Sequence, residues 1–148
     1  MKRLCRCLVV GFAVTILLTS FAVAQQRVGV RVSIPFEFRV ATEVYPSGDY
    51  EIVSSGPMTR DVLIITTAEG KSLQMAQTVK STPAIKTGKP YLLFHRYGSE
   101  SFLSEVWTEG FGDSKKFPVT RRERELVQTA NSGKEGTTKL AMVVVPAN

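Results

Sequence analysis

The chain has 148 residues, of which 43% are hydrophobic, and nineteen Lys and Arg against thirteen Asp and Glu give it a formal net charge of +6. This length suits one domain and is short for two ordinary ones. Two cysteines, Cys5 and Cys7, and one histidine, His95, are present. A metal site with two or more histidine ligands is therefore excluded.

The first 24 residues have the layout of a cleaved export signal. A basic start precedes an apolar run over residues 8–18, and the small residues Ala22 and Ala24 stand before a cleavage site at Gln25. The apolar run has eleven residues, whereas roughly 20 are needed to cross a bilayer. We therefore expect the signal to be removed and no membrane span to remain. An uncleaved anchor is the alternative interpretation.

Cleavage at Gln25 changes what the working protein carries. It removes both cysteines and three basic residues, so sixteen basic residues remain against thirteen acidic ones and the net charge falls to +3. A charge of this size supports solubility and attracts anionic surfaces weakly, and export leaves no nucleic acid as the expected partner. We expect residues 25–148 to form a single cysteine-free β-rich domain, periplasmic or secreted, that is held together by its apolar core.

A strict alternation of apolar residues follows the signal. The apolar residues occupy every even position from 28 to 40, namely Val28, Val30, Val32, Ile34, Phe36, Phe38 and Val40. Period-two spacing places them on one buried face of a strand and leaves the odd positions in water. Because Pro35 lacks a backbone N–H, it predicts a break or bend within this run.

Turn residues divide the next part of the chain into short strands. The Tyr-Pro-Ser-Gly sequence at residues 45–48 favours a type I turn. The strands predicted after it are 50–53, 61–67, 72–80, 90–97 and 101–108, of which the last two pairs form hairpins. With Ser99 and Glu100 at its tip, the second hairpin places His95 opposite Ser104.

One helix and one last strand are predicted near the C-terminus. Thr120 followed three residues later by Glu123 matches the capping box, in which each side chain bonds to the backbone N–H of the other residue. The last strand is predicted over 139–145, where Pro146 stops it.

These elements predict an all-β, mainly antiparallel fold of seven or eight strands with one short helix near the C-terminus. A small β-sandwich and a closed β-barrel both require this alternation and both stay open. A lipocalin-like barrel also has a helix before its last strand, so a carrier of a small apolar ligand is an alternative function.

Four stretches of the chain resemble a group of small exported β-rich proteins of environmental bacteria, for which no activity is established. The stretches are Ile34–Phe38 (IPFEF), Pro46–Tyr50 (PSGDY), Phe94–Gly98 (FHRYG) leading into Phe102–Trp107 (FLSEVW), and Arg122–Leu126 (REREL). The resemblance covers most of the mature chain. It implies a shared β-rich fold and export, and it transfers no catalytic residue and no ligand.

The candidate catalytic groups do not form a complete set in the sequence. His95, Ser104 and Glu105 suggest a Ser-His-acid arrangement, but Glu105 and Ser104 point to opposite faces of a regular strand. Glu105 and Glu109 are a candidate carboxylate pair for glycoside hydrolysis, and solvated glutamates are the simpler interpretation. We therefore predict no catalytic residue, no cofactor and no metal, and keep a hydrolase that uses His95 as the less favoured hypothesis.

Two groups of residues are candidates for contacts with a partner. A basic cluster indicates either a salt-bridged, solvated face or a contact site for anionic lipid or glycan: Lys115, Lys116, Arg121, Arg122 and Arg124. An aromatic group indicates either core or an exposed platform for a partner: Tyr91, Tyr97, Phe102, Trp107 and Phe111. The expected function is binding of an envelope component or a protein partner by an exported, non-enzymatic β domain.

Overall fold

The computed structural model describes residues 28–56, 61–86, 88–131 and 140–147. The predicted signal and its cleavage site at Ala22, Ala24 and Gln25 lie outside the described residues. Within these ranges the chain forms eleven strands, one α-helix and one 3-10 turn. The elements are β1 Gly29–Ile34, β2 Phe38–Val40, β3 Glu43–Tyr45, β4 Gly48–Ser54, β5 Val62–Thr67, β6 Ser72–Gln77, β7 Val79–Ser81, β8 Tyr91–Tyr97, β9 Glu100–Trp107, the 3-10 turn Glu109–Phe111, β10 Ser114–Lys116, α1 Arg121–Asn131 and β11 Leu140–Pro146.

The strands form two sheets. The first has four strands in the order β1-β4-β5-β6, and the second has seven, with the path β11-β8-β9-β10-β7 and with β2 and β3 attached beside β9. The strand pairs are antiparallel apart from β2 with β9. The prediction of a mostly β, mainly antiparallel chain with one short helix is confirmed.

The predicted number of seven or eight strands is wrong. Four of the eleven strands, β2, β3, β7 and β10, have only three residues. Strands of this length carry too few residues for a recognisable period in the sequence. The predicted strand 72–80 is likewise divided in the structure into two strands, β6 and β7.

The alternating run after the signal folds as predicted. Five of its seven even positions are at most 5% exposed and lie on both sides of Pro35, namely Val30, Val32, Ile34, Phe38 and Val40. Val28 and Phe36 are partly buried against the same core. The strand breaks at Pro35 as expected, and the break has a further consequence. It transfers the chain from the four-stranded sheet, which contains β1, to the seven-stranded sheet, which contains β2.

Phe38 connects the two sheets through aromatic contacts. Its ring lies 5.1 Å from Tyr50 of β4 and 5.6 Å from Phe94 of β8, both in edge-on geometry. Edge-to-face pairs of this kind contribute about 0.5–1.5 kcal/mol beyond the burial of their area. One cluster of buried residues accordingly contains side chains from both sheets.

Two tight connections lie next to β6, the edge strand of the four-stranded sheet. Ala41 and Thr42 alone join β2 to β3, and Ala41 has a φ of 53°, the left-handed value that a two-residue hairpin turn requires. Between β6 and β7, the N–H and hydroxyl of Thr78 both donate to the carbonyl of Asp61, at 2.7 and 2.9 Å. The chain thereby turns from the end of one sheet into the other.

The helix α1 starts at the predicted cap. The Thr120 hydroxyl accepts a hydrogen bond from the N–H of Glu123 at 3.1 Å, which satisfies one of the free donors of the first turn. The other half of the predicted capping box is replaced, because the Glu123 carboxylate bonds to the sheet instead. Of the helices in the described ranges, none is both long and apolar enough to span a bilayer.

Candidate functional site

The hairpin of β8 and β9 contains the candidate groups His95, Ser104 and Glu105, and its register differs from the expected one. Gly98 and Ser99 form its two-residue tip, where Gly98 has a φ of 62°, so Tyr97 pairs with Glu100 and His95 with Phe102. The pairing of His95 with Ser104 is therefore wrong. Ser104 is the extra residue of a β-bulge, since Leu103 pairs with Phe94 and Glu105 with Leu93.

His95 instead meets a carboxylate from the helix. Glu123 Oε1 accepts hydrogen bonds from His95 Nδ1 at 2.9 Å and from the Tyr97 hydroxyl at 3.4 Å. Burial raises the pKa of Tyr97, and the charge of Glu123 raises it further. This contact fastens α1 to the outer face of the hairpin. The sequence carries no local signal of it, because Glu123 lies 28 residues from His95.

Glu105 is a buried residue and not a solvated one. It is 3% exposed, and its Oε1 accepts hydrogen bonds from the Tyr91 hydroxyl at 2.6 Å and from the N–H of Ala84 at 3.0 Å. Burial and the bond to Glu105 raise the pKa of Tyr91. The carboxylate therefore ties the loop before β8 to the sheet, whereas Glu109 is exposed in the 3-10 turn.

The predicted aromatic platform is not on the surface. Four of its members are at most 5% exposed, and the fifth, Trp107, is half-buried. Trp107 stacks on Tyr91 at 5.9 Å with 22° between the ring planes. The rings are buried because the bulge, the loop before β8 and α1 all pack against this face. These side chains pack in the interior and do not form an exposed platform: Tyr91, Tyr97, Phe102, Trp107 and Phe111.

One residue of the predicted basic surface, Lys115, does not lie on the surface. Lys115 is fully buried, and its Nζ donates to Asp61 Oδ1 at 2.9 Å, which joins β10 to the residue before β5 in the other sheet. This hydrogen bond holds the pKa of Asp61 below its usual value. Burial of Lys115 follows from its register opposite Val106, a core residue.

The remaining basic side chains are exposed, and two of them are in ion pairs. Arg122 donates to Glu100 at 2.7 Å, and this bond lowers the pKa of Glu100. Arg121 donates to Glu125 one turn along the helix at 3.1 Å. Lys116 and Arg124 are also exposed. The salt-bridged alternative thus describes Arg121 and Arg122.

An open apolar cleft lies at the edge of the four-stranded sheet. It encloses about 320 Å³, within the range of ligand pockets, and it is lined by residues 74–77 of β6, residues 117–121 and the turn of Ala41 and Thr42. Met75 and Val119 are 63% and 48% exposed there. Among the eleven lining residues Arg121 has the only ionisable side chain. We name this feature the β6 cleft.

Sequence patterning alone would not find the β6 cleft. Leu73 and Met75 are spaced as a buried pair on one strand face, but the structure buries Ala76 and exposes Met75. The opposite wall includes residues 117–121, which lie forty or more positions further along the chain. A second open cavity of about 330 Å³ beside β1 and β4 is lined by the charged residues Arg31, Asp49 and Glu51, and is much less suited to apolar contacts.

The described residues carry no group of three or more Asp, Glu, His or Cys side chains placed to hold a metal ion. By fold, the protein belongs to the mostly β class, with two mainly antiparallel sheets and one short helix. Comparison with family models, curated proteins and solved structures gives no match for the chain.

Proposed function

We propose that the chain is an exported, non-enzymatic β domain that binds an envelope component or a protein partner through the β6 cleft. The observation that carries this proposal is the exposure of Met75 and Val119 on facing walls of one open cleft. Apolar side chains in water are a source of binding free energy, because a partner that covers them removes their surface from the solvent.

The two side chains supply a measurable part of a binding free energy. Burying an apolar side chain of this size contributes about 1.5–3 kcal/mol, and both residues still expose about half or more of their surface. Covering the two together is worth about 2 kcal/mol, or about thirtyfold in affinity.

The state of the candidate catalytic groups supports a non-enzymatic function. The carboxylates of Glu105 and Glu123 are engaged in hydrogen bonds that hold a loop and a helix on the sheet. Ser104 lies in a bulge and does not pair with His95. Ser104, the nucleophile that the sequence suggested for a hydrolase using His95, is therefore not paired with that histidine.

We infer an open two-sheet sandwich as the finer architecture. The two sheets have separate strand orders, and the space between them is filled by large side chains that are at most 1% exposed, among them Phe38, Phe94, Ile52 and Leu63. A lipocalin-like carrier of a small apolar ligand needs an interior cavity for it. The filled interior favours binding at the surface.

Export is the second part of the proposal, and a measurement on the protein in its native host tests it. The basic start and the apolar run at residues 8–18 support cleavage before Gln25 and a periplasmic or secreted location. N-terminal sequencing of the protein from the fraction outside the cytoplasm is expected to begin at Gln25. Recovery of the chain in the cytoplasm with Met1 still present contradicts export.

A pull-down from envelope extract with matched variants tests the β6 cleft. Met75→Lys places a charge in the cleft, and Met142→Lys places the same charge on β11, where Met142 is 65% exposed against 63% for Met75. A partner captured by the wild type and by Met142→Lys but lost with Met75→Lys supports the proposal. A partner that both variants retain, or that Met142→Lys alone loses, contradicts it.

A further inference from the structure

We propose that the β6 cleft accepts an extended peptide segment of the partner as an added β-strand along β6, with an apolar side chain at Met75 and a carboxylate at Arg121. This inference rests on the proposed function, in which the β6 cleft is the binding site. It adds the chemical class of the ligand and the geometry in which it is held.

β6 is the last strand at one edge of its sheet. It pairs with β5 on one side, and in the described part of the chain no strand pairs with the other side. The outward backbone N–H and C=O groups of an edge strand are a template for another extended chain. A peptide offers the matching row of donors and acceptors.

The cleft follows the edge of β6 and not one face of it. Four consecutive residues, 74–77, line the cleft. Because successive side chains of a strand point to opposite faces, a site on one face would include only every second residue. An occupant of the cleft therefore lies beside the backbone of β6.

Contacts within the protein fix the inner side of this edge before any ligand binds. Gln74 points to the core side, where its Oε1 accepts a hydrogen bond of 2.7 Å from the Tyr45 hydroxyl. Ala76, on the same side, is 6% exposed. The next residue, Met75, points outward and is exposed. An added strand would thus meet a rigid edge, which reduces the entropy lost on binding.

The charge of the cleft is complementary to a ligand that carries a carboxylate. Arg121 is the only ionisable residue among the eleven that line the cleft, and its side chain is 90% exposed. Its ion pair with Glu125 lies on the surface, where such pairs contribute little and exchange readily. A carboxylate on the ligand can replace Glu125. A fatty acid also has a carboxylate and an apolar part, but it lacks backbone groups to satisfy the edge of β6.

The terminal strands on the other side of the molecule are less available. β1 and β11 end their respective sheets and lie next to each other. β11 exposes Leu140, Met142 and Val144, but the edge strand β1 of the other sheet lies beside it. At β6, an edge that no described strand pairs with, an apolar cleft and the charge of Arg121 occur together.

Selection of a random octapeptide library displayed on phage against the purified protein tests the proposal. Peptides enriched on the wild type are expected to alternate apolar and polar residues and to carry an acidic residue or free carboxylate near one end. Met75→Lys and Arg121→Glu are each expected to weaken binding of these peptides at least tenfold. Met142→Lys is the matched control and is expected to change the dissociation constant less than twofold.

N-methylation of the best peptide tests the strand geometry itself. In an added strand, alternate N–H groups point toward β6, so methylation of one alternate set is expected to abolish binding. Methylation of the other set is expected to leave the dissociation constant within about threefold, as the alternation of N–H directions requires. Equal loss with both sets, or no loss with either, overturns strand addition.

The remaining outcomes separate this inference from the proposed function. If no peptide is enriched over Met75→Lys, the inference is overturned, and titration with dodecanoate and capture of the envelope partner then show whether the β6 cleft binds something else. Binding of dodecanoate that Met75→Lys removes leaves the proposed function intact. A dimer in sedimentation that Met75→Lys dissociates identifies a second copy as the occupant and also overturns the inference. Circular dichroism of each variant establishes that the fold is retained.

Discussion

Replacing Tyr91 by Phe removes one oxygen from the most buried acidic contact of the hairpin. The hydroxyl donates to Glu105 Oε1 at 2.6 Å and accepts a hydrogen bond from the N–H of Ile85 at 3.2 Å. Tyr91 and Glu105 are 1% and 3% exposed, so water cannot easily replace the lost oxygen. Phe keeps the ring and therefore its stacking on Trp107.

The loss has two parts. A hydrogen bond to a charged group contributes about 1.5–3 kcal/mol and a neutral one about 1 kcal/mol. Tyr91→Phe removes one of each, while Glu105 keeps its bond from the N–H of Ala84, so we expect a loss of about 3 kcal/mol. Tyr50→Phe is the matched control, because the buried Tyr50 hydroxyl donates at 2.7 Å to the neutral carbonyl of Pro46. We expect that substitution to cost about 1 kcal/mol.

Urea unfolding followed by the fluorescence of Trp107 measures both losses, since the chain has one tryptophan. The wild type and the two variants are compared at neutral pH through their unfolding midpoints and slopes. If Tyr91→Phe costs no more than Tyr50→Phe, the bond between Tyr91 and Glu105 has no special weight and the reasoning is refuted.

Three further predictions concern backbone strain and pH. Ala41→Gly is expected to stabilise the fold by about 0.5–1 kcal/mol in urea unfolding, because glycine adopts the φ of 53° without strain; destabilisation would contradict this. Burial raises the pKa of all four tyrosines, so the folded state keeps protons that the unfolded state loses; stability should fall as pH rises above about 10, and a flat profile from pH 9 to 11.5 would refute it. The pKa of Glu100 is lowered, chiefly by the hydrogen bond from Arg122, so this contribution to stability is present above pH 4.5 and is lost as pH falls through the folded-state pKa; Arg122→Gln should flatten that loss, and an unchanged acid profile would count against the pair.

Local patterns in the sequence predict the parts of the fold that local physics decides. The alternation from Val28 to Val40 gives the buried face correctly, and Pro35 gives the break between β1 and β2. Thr120 marks the start of α1 because N-capping depends on residues three positions apart. These predictions succeed because each depends on a few neighbouring residues.

Contacts across the sheet could not be predicted in the same way. Moving the hairpin tip by one residue, from Ser99 and Glu100 to Gly98 and Ser99, changes the partner of every residue in β8, and the bulge at Ser104 changes it again. Lys115 was expected on the surface because lysine rarely lies inside, and only its distant partner Asp61 makes burial acceptable.

The β6 cleft was missed for a related reason. Its walls come from segments that are distant in sequence, and Met75 occupies a position that the apolar pattern assigns to the core. The sequence suggested that the aromatic residues of the hairpin bind a partner. In our proposal the partner binds instead at the β6 cleft, at the edge of the four-stranded sheet.

Amide hydrogen exchange of the protein with its captured partner tests the central claim most directly. Binding along the edge of β6 that no described strand occupies is expected to slow exchange at least tenfold at amides within Ser72–Gln77 and to leave β11 unchanged. Protection confined to β11, or to the exposed basic residues of α1, with no change along β6, would contradict binding at the β6 cleft.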